Sequence, residues 1–413
     1  MTKHIFGLLL TGLSLITACS SQENQGLKAG RWRATLDAQG HTLPFEMELT
    51  QVDGKWQGAL INATERLALD EIIVKEDSVW IPMHIFDATL KGRLTEKGTL
   101  EGVWTKNYYD DYSLALSATP SEEPRFAVTS STEPSQIDGR WEVYFSEADG
   151  QAAVGEFMQN GSHVTGTFLT TVGDYRFLDG VMDGHRLKLS TFDGEHAFLF
   201  EAEVQADGSL KGDFWSGSHW HETFTATRND TLTLPDPASL TYLKEGYDGI
   251  EFSFPGLDGE PVSLSDPKYE DKIVLLQIFG TWCPNCMDET QFLTDWYPQH
   301  AEEGVEIIGL SYERKDDFDY AVDRINRIRE KLNVPYDFVV AGTSDKEEAS
   351  KTLPMLNQIL SFPTLIILDR EHHIRRIHTG FSGPGTGKYY QEFVEEFNLF
   401  MEKLINEQPP QVR

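Results

Sequence analysis

The sequence predicts a multidomain chain in which an all-β, duplicated N-terminal region, built as antiparallel barrels or a sandwich, is followed by an α/β domain. Three observations carry this. From residue 30 to about 229, short alternating segments are bounded by Gly, Asp and Asn turns, the mark of antiparallel sheet. Within that region one stretch of sequence returns at a fixed offset. From residue 247 the period changes, and apolar runs alternate with helical stripes. A chain of 413 residues holds about two to four domains. Its hydrophobic share of 39% and charged share of 24% are those of a soluble globular protein. A formal net charge of -31 argues against nucleic acid and anionic membrane as partners, and the acids are scattered, as on a solvated surface.

In chain order, Lys3 and His4 precede an apolar run over 5–16 that is too short to span a bilayer and reads as an export signal. It ends in Leu15-Ile16-Thr17-Ala18-Cys19, which resembles the lipobox of bacterial lipoproteins. That resemblance implies cleavage before Cys19, a lipid on Cys19, and a periplasm-facing location in the cell envelope. Ser20, rather than Asp, after the cysteine implies the outer membrane more than the inner. The expected division is a signal peptide at 1–18, a tether at 19–29, a first β copy at 30–119 and a linker at 120–138. A second copy at 139–229, a linker at 230–246 and the α/β domain at 247–413 follow.

The duplication rests on four matches. Gly30-Arg31-Trp32 returns as Gly139-Arg140-Trp141. The segment 54–60 returns at 161–168, 98–104 at 208–215, and 116–119 at 224–227. The offset stays near 109 residues throughout, so the copies are true repeats. Each is long enough for about six to eight short strands, and closure would remove exposed sheet edges. Two small barrels or one barrel of two halves both satisfy the pattern.

In the last domain a hairpin-like piece (251–254, 259–264) precedes an apolar strand at 273–279. A helix with Phe292, Leu293, Trp296 and Tyr297 on one stripe follows, then a strand at 305–311 and a helix at 318–332. A strand at 336–340, a helical run over 346–356, strands at 363–368 and 374–378, and a final amphipathic helix complete it. Alternation of this kind makes a parallel central sheet with the terminal hairpin antiparallel.

The chain has three cysteines, and with Cys19 assigned to lipid one pair remains, in Trp282-Cys283-Pro284-Asn285-Cys286. An apolar strand before Cys-x-x-Cys and a helix after it is the setting of a redox-active dithiol. Zinc would need two further ligands, and no second Cys-x-x-Cys exists. His219 and His221 share a strand face, but exposed strand histidines are common without a metal, so no metal site is expected.

With Glu289 three residues after Cys286, Phe362-Pro363-Thr364 before a buried strand, and an added helix-strand unit before that proline, the region 247–407 resembles the TlpA/ResA-like exported thiol-disulfide oxidoreductases of the thioredoxin fold. It departs from them at Asn285, where a proline before the second cysteine is commoner. It departs from cytosolic thioredoxins at Gln277, where they have a buried Asp. The resemblance implies that Cys283 caps the helix as the attacking thiol and that Cys286 resolves the mixed disulfide. Glu289 then exchanges a proton with Cys286. Pro363 is cis, and Phe362 and Trp282 shape a docking edge for an extended substrate.

The expected function is that of an exported, lipid-anchored oxidoreductase reducing disulfides of exported proteins. No cofactor is called for, and a membrane thiol electron donor recharges the dithiol. Two alternatives stay open: a binding lipoprotein whose β repeats hold a ligand or partner, with the dithiol as sensor, and an oxidase or isomerase.

Overall fold

The computed structural model describes residues 26–407; Cys19 and the signal segment lie outside them. Eight strands, from Gly30–Ala38 to Ser113–Pro120, pair antiparallel with their chain neighbours. The barrel closes where the first meets the last, Trp32 against Pro120 and Leu36 against Leu116. Trp32, Ala34, Leu36 and Ala38 point inward at alternate positions, and the residues between them are more exposed.

The second copy makes a second barrel. Gly139–Phe145 pairs with both Ala152–Asn160 and Trp220–Arg228, and Ala152–Asn160 pairs in turn with His163–Thr170. A two-residue strand, Gly173–Asp174, hangs on the edge of His163–Thr170. The repeated residues do the same work twice. The Trp32 indole donates to the Lys28 carbonyl at 2.9 Å and the Trp141 indole to the Ile137 carbonyl at 2.7 Å, each plugging its barrel. Gly58 and Gly166 both face a neighbouring strand so closely that a Cβ would lie 2.1 Å from the Glu48 carbonyl oxygen in one case and 2.2 Å from that of Glu156 in the other.

The linker between the copies is not a solvated spacer along its whole length. Arg125 and Phe126 are buried. Arg125 donates to the Ile61 carbonyl and the Asn62 side chain of the first barrel and to the Ser190 carbonyl of the second. Phe192 of the second barrel packs 4.4 Å from Phe45 of the first.

The last region is an α/β sandwich with strand order 337–343, 305–313, 273–279, 364–368, 374–379. The first three run parallel; the last two are antiparallel. Ile273–Phe279 is buried at every position, as a central strand covered on both faces must be. The helices are α1 (Pro284–Trp296), α2 (Phe318–Leu332), α3 (Lys346–Thr352) and α4 (Lys388–Asn406). α1 and α4 join through aromatic edges, Trp296 to Phe397 at 5.1 Å and Phe292 to Phe393 at 5.4 Å. Asp317 caps α2 by accepting from the Tyr320 N–H, and Asn333 ends it in the left-handed conformation.

Two expected elements differ. α3 stops at Thr352 instead of continuing to 356, because Leu353 precedes Pro354 and is held out of the helical region at φ -123, ψ 68. The expected hairpin shrinks to Phe254–Pro255 against Pro261–Val262, since the two prolines offer no N–H to extend the ladder.

Both barrels grip this domain. Arg324 and Arg327 of α2 donate to the carbonyls of Ile85 and Met83 in the first barrel, and Lys331 pairs with Asp70 at 2.8 Å and Glu71 at 2.6 Å. The second barrel meets the N-terminal end of α1.

Candidate active site

The Ile273–Phe279 strand delivers the chain to a short loop, Gly280-Thr281-Trp282, that must turn sharply into α1. Buried Glu313 holds that loop: its carboxylate accepts from the Thr281 N–H at 3.0 Å, the Thr281 hydroxyl at 2.7 Å and the Ser311 hydroxyl at 2.6 Å. Burial pushes the Glu313 carboxyl up, and these donors pull against it. The Trp282 indole donates to the Tyr312 carbonyl at 2.8 Å, and Arg314 lies 3.7 Å from the centre of its ring.

Cys283 is the N-cap of α1 and Pro284 its first residue, the position where a missing N–H costs nothing. Cys283 and Cys286 form a disulfide. The Cys283 sulfur accepts from the Cys286 N–H at 3.1 Å and lies 3.3 Å from the Phe362 carbonyl oxygen. Cys283 is 5% exposed and Cys286 fully buried. The Phe362–Pro363 peptide bond is cis. The Phe362 ring meets Trp282 edge to face at 5.5 Å. Five of the expected site residues, Trp282, Cys283, Cys286, Phe362 and Pro363, therefore surround one point.

Glu289 lies one turn beyond Cys286 on α1 and is fully buried. Burial pushes its carboxyl up to about 8, and the Gln277 amide, donating at 3.0 Å, opposes that. Its second oxygen has no partner among the described residues. Gln277 also accepts from the Tyr336 hydroxyl at 3.2 Å, so it is a buried hydrogen-bond junction in the place of a titrating acid.

The second barrel supplies residues that the sequence did not single out. Arg176, 4% exposed, donates to the Pro284 carbonyl at 3.0 Å, to Asp288 of α1 and to Glu65 of the first barrel. Asp193 lies 3.5 Å away. Burial disfavours the Arg176 charge, but Asp288, Glu65, Asp193 and Asp174 together hold its pKa above the ordinary value. One cation among four carboxylates leaves a negative surplus. Burial, with Asp174 and Glu65 against the pull of Arg176, pushes Asp288 up to about 7. Nothing in the sequence marks Arg176, a lone arginine after a strand edge, or Asp288, an acid two residues past Cys286 on α1.

The Val172–Gly173 loop of the second barrel is seated beside the dithiol. Ser361 donates to the Val172 carbonyl at 2.7 Å, and a Cβ on Gly173 would lie 3.0 Å from the Asn285 amide nitrogen. Between this barrel and the disulfide runs a cleft of about 970 Å³, with Trp282, Cys283, Asn285 and Phe362 on one side. The histidines stand apart from it as a metal set: His221 pairs with Asp213 at 2.9 Å and His219 with Ser218 at 3.0 Å. Among the described residues only the surface group Asp369, Glu371 and His373 brings metal-type donors within 4.8 Å of one another.

Residues 246–377 match the AhpC/TSA family. The chain is 28% identical over 152 residues to the thiol-disulfide oxidoreductase ResA of Bacillus thuringiensis subsp. konkukian, covering 37% of this chain and 77% of that protein. It is 29% identical over 140 residues to the thiol:disulfide interchange protein DsbE of Pseudomonas aeruginosa, covering 34% and 69%. A solved thiol-disulfide oxidoreductase from Bacteroides fragilis aligns at 20% identity and TM-score 0.27, over 36% of this chain and 99% of that one. The family match lies in the C-terminal region, and the β-rich region lies outside its residues.

Proposed function

We propose that this thiol-disulfide oxidoreductase is exported, held to the outer membrane by a lipid on Cys19, and reduces disulfides of other exported proteins. The observation that carries the reaction is the position of Cys283: a helix N-cap whose sulfur takes the Cys286 N–H at 3.1 Å and faces the cleft. In the reduced protein the same N–H and the positive end of α1 favour the thiolate. The Cys283 thiolate attacks one sulfur of the substrate disulfide. A mixed disulfide forms, and the first substrate thiolate leaves and takes a proton from water. Cys286 then gives up its proton and attacks Cys283; the second substrate thiolate is released and the internal disulfide is formed.

Glu289 is suited to receive the Cys286 proton. Burial raises its carboxyl to about 8, into the range where it can exchange a proton near neutral pH. The oxidised dithiol then needs two electrons from a membrane thiol donor. That one cleft is walled by the second barrel and the dithiol together favours catalysis over a binding lipoprotein with a separate ligand site.

Insulin reduction tests the reading. Wild type is expected to precipitate the insulin B chain, and Cys283→Ser to be silent; equal activity in the two overturns it. Cys286→Ser is expected to accumulate mixed disulfides on Cys283 in cells. Equilibration with glutathione decides direction, because a couple at the strongly oxidising end would make the protein an oxidase.

A further inference from the structure

The cleft has an unusual second wall. Phe145, Tyr175, Phe198 and Phe214, at the mouth of the second barrel, line it as a continuous aromatic surface, with Phe198 5.3 Å and Tyr175 5.4 Å from Phe214. Around this surface stand Glu147, Asp149, Asp174 and Glu222, and no lysine or arginine among the described residues lines the cleft. Two of these acids are committed to the fold: Asp174 accepts from the Gly383 N–H at 2.7 Å, and Glu222 accepts from the Trp220 indole at 3.1 Å. Glu147 and Asp149 line the cleft, are exposed and enter no salt bridge among the described residues, so their charge is available to whatever enters.

The wall is also fixed. The Ser361–Val172 hydrogen bond and the close approach of Gly173 to Asn285 keep the barrel against the dithiol, and Cys283 is 5% exposed. A broad folded surface cannot reach that sulfur past the barrel, whereas an extended strand can. A volume of about 970 Å³ takes a segment of a few residues.

Resting on the exchange reaction proposed above, we propose that the second barrel is the specificity wall of the enzyme. It selects disulfides carried on extended polypeptide segments that bear an aromatic side chain beside the cysteine and a net positive charge. The aromatic side chain stacks in the barrel mouth, and Glu147 and Asp149 attract the charge. Anionic disulfides are disfavoured by the same carboxylates. The exchange itself is unchanged: the Cys283–substrate sulfur bond forms as the substrate disulfide breaks, and the reduced dithiol supplies both electrons.

The test uses the full chain, reduced with dithiothreitol and freed of it, and three cyclic disulfide peptides of one length. One carries Phe beside the cysteine and Arg at the outer positions, one Phe and Glu, one Ala and Arg. Rates of peptide reduction are read by acid quench and mass spectrometry. At low salt the Phe/Arg peptide is expected to react about tenfold faster than the Phe/Glu peptide, and the ratio to fall toward one in about 0.5 M salt. The Ala/Arg peptide is expected to be about fivefold slower than Phe/Arg, from the lost stacking. In the Glu147→Lys, Asp149→Lys double variant the Arg-to-Glu ratio is expected to drop below one. Because a ratio is read, a loss of folded protein does not move it. Equal Arg and Glu rates in wild type, or an unchanged ratio in the double variant, overturns the proposal. Insulin reduction with no reaction of any peptide overturns the specificity wall and leaves the reaction standing. Failure of both insulin and peptides removes the reaction, and this proposal with it.

Discussion

Trp32 and Trp141 sit in matching places, each indole tied to a carbonyl four residues upstream, and around each the chain closes an eight-stranded barrel. Beyond their interiors the two barrels diverge. The first turns a polar flank to α2 and meets it through Asp70, Glu71, Asp87 and the carbonyls of Met83 and Ile85. The second turns an aromatic mouth to the dithiol and sends Arg176 onto the start of α1. A duplicated fold has kept its closure residues and changed its outward-facing ones. Sequence matches therefore report the shared interior and are silent on what each copy touches.

The largest expected effect is at the second contact. Arg176→Met leaves Glu65 and Asp288 without their cation in a buried junction and is expected to cost about 3–5 kcal/mol, read by denaturant unfolding. A cost no greater than that of the first barrel's contacts would make the two interfaces equivalent.

Two adjacent carboxyls extend the comparison to pH. Asp288 is shifted by burial and by barrel residues; Glu289 only by burial and by Gln277 of its own domain. Glu289 has a raised folded value, so between about 4.5 and about 8 the folded protein holds a proton that the unfolded chain has lost, and stability falls as pH rises through that window. Glu289→Gln is expected to remove its own share of that slope, a few kcal/mol, in denaturation curves taken across the range, and to leave the share of Asp288, which is raised to about 7. A slope left unchanged by Glu289→Gln would assign all of it to Asp288 at the barrel contact.

Trp32→Phe and Trp141→Phe each lose one indole bond and orphan a carbonyl, and are expected to cost about 1–2 kcal/mol apiece in thermal melts. Unequal costs would show that the repeats are not energetically matched. The smallest effect belongs to Lys331→Met. It removes partly exposed ion pairs with Asp70 and Glu71 and is expected to cost less than about 1 kcal/mol, falling further with salt.

The β duplication, the dithiol between strand and helix, and the bounds of α2 were legible because each has a local signature: repeated words, a cysteine spacing, an apolar stripe. The twofold barrel closure was one of two arrangements the pattern allowed. What stayed hidden is charge made meaningful by distance. Arg125 reads as part of a polar linker and Arg176 as a loop residue, yet both are buried between parts of the chain remote in sequence. Glu313 lies two residues past the expected strand, and only the fold brings Thr281 to it. The overlong α3 was a local misreading, since Pro354 was in plain view.

Arg176 touches the first barrel, belongs to the second, and holds the helix that carries the cysteines. Pulling any one of the three away breaks hydrogen bonds and ion pairs of a buried guanidinium. Three bodies that could each have melted at its own temperature are thereby bound into a single cooperative unit, and calorimetry is expected to record one transition whose calorimetric and van't Hoff enthalpies agree.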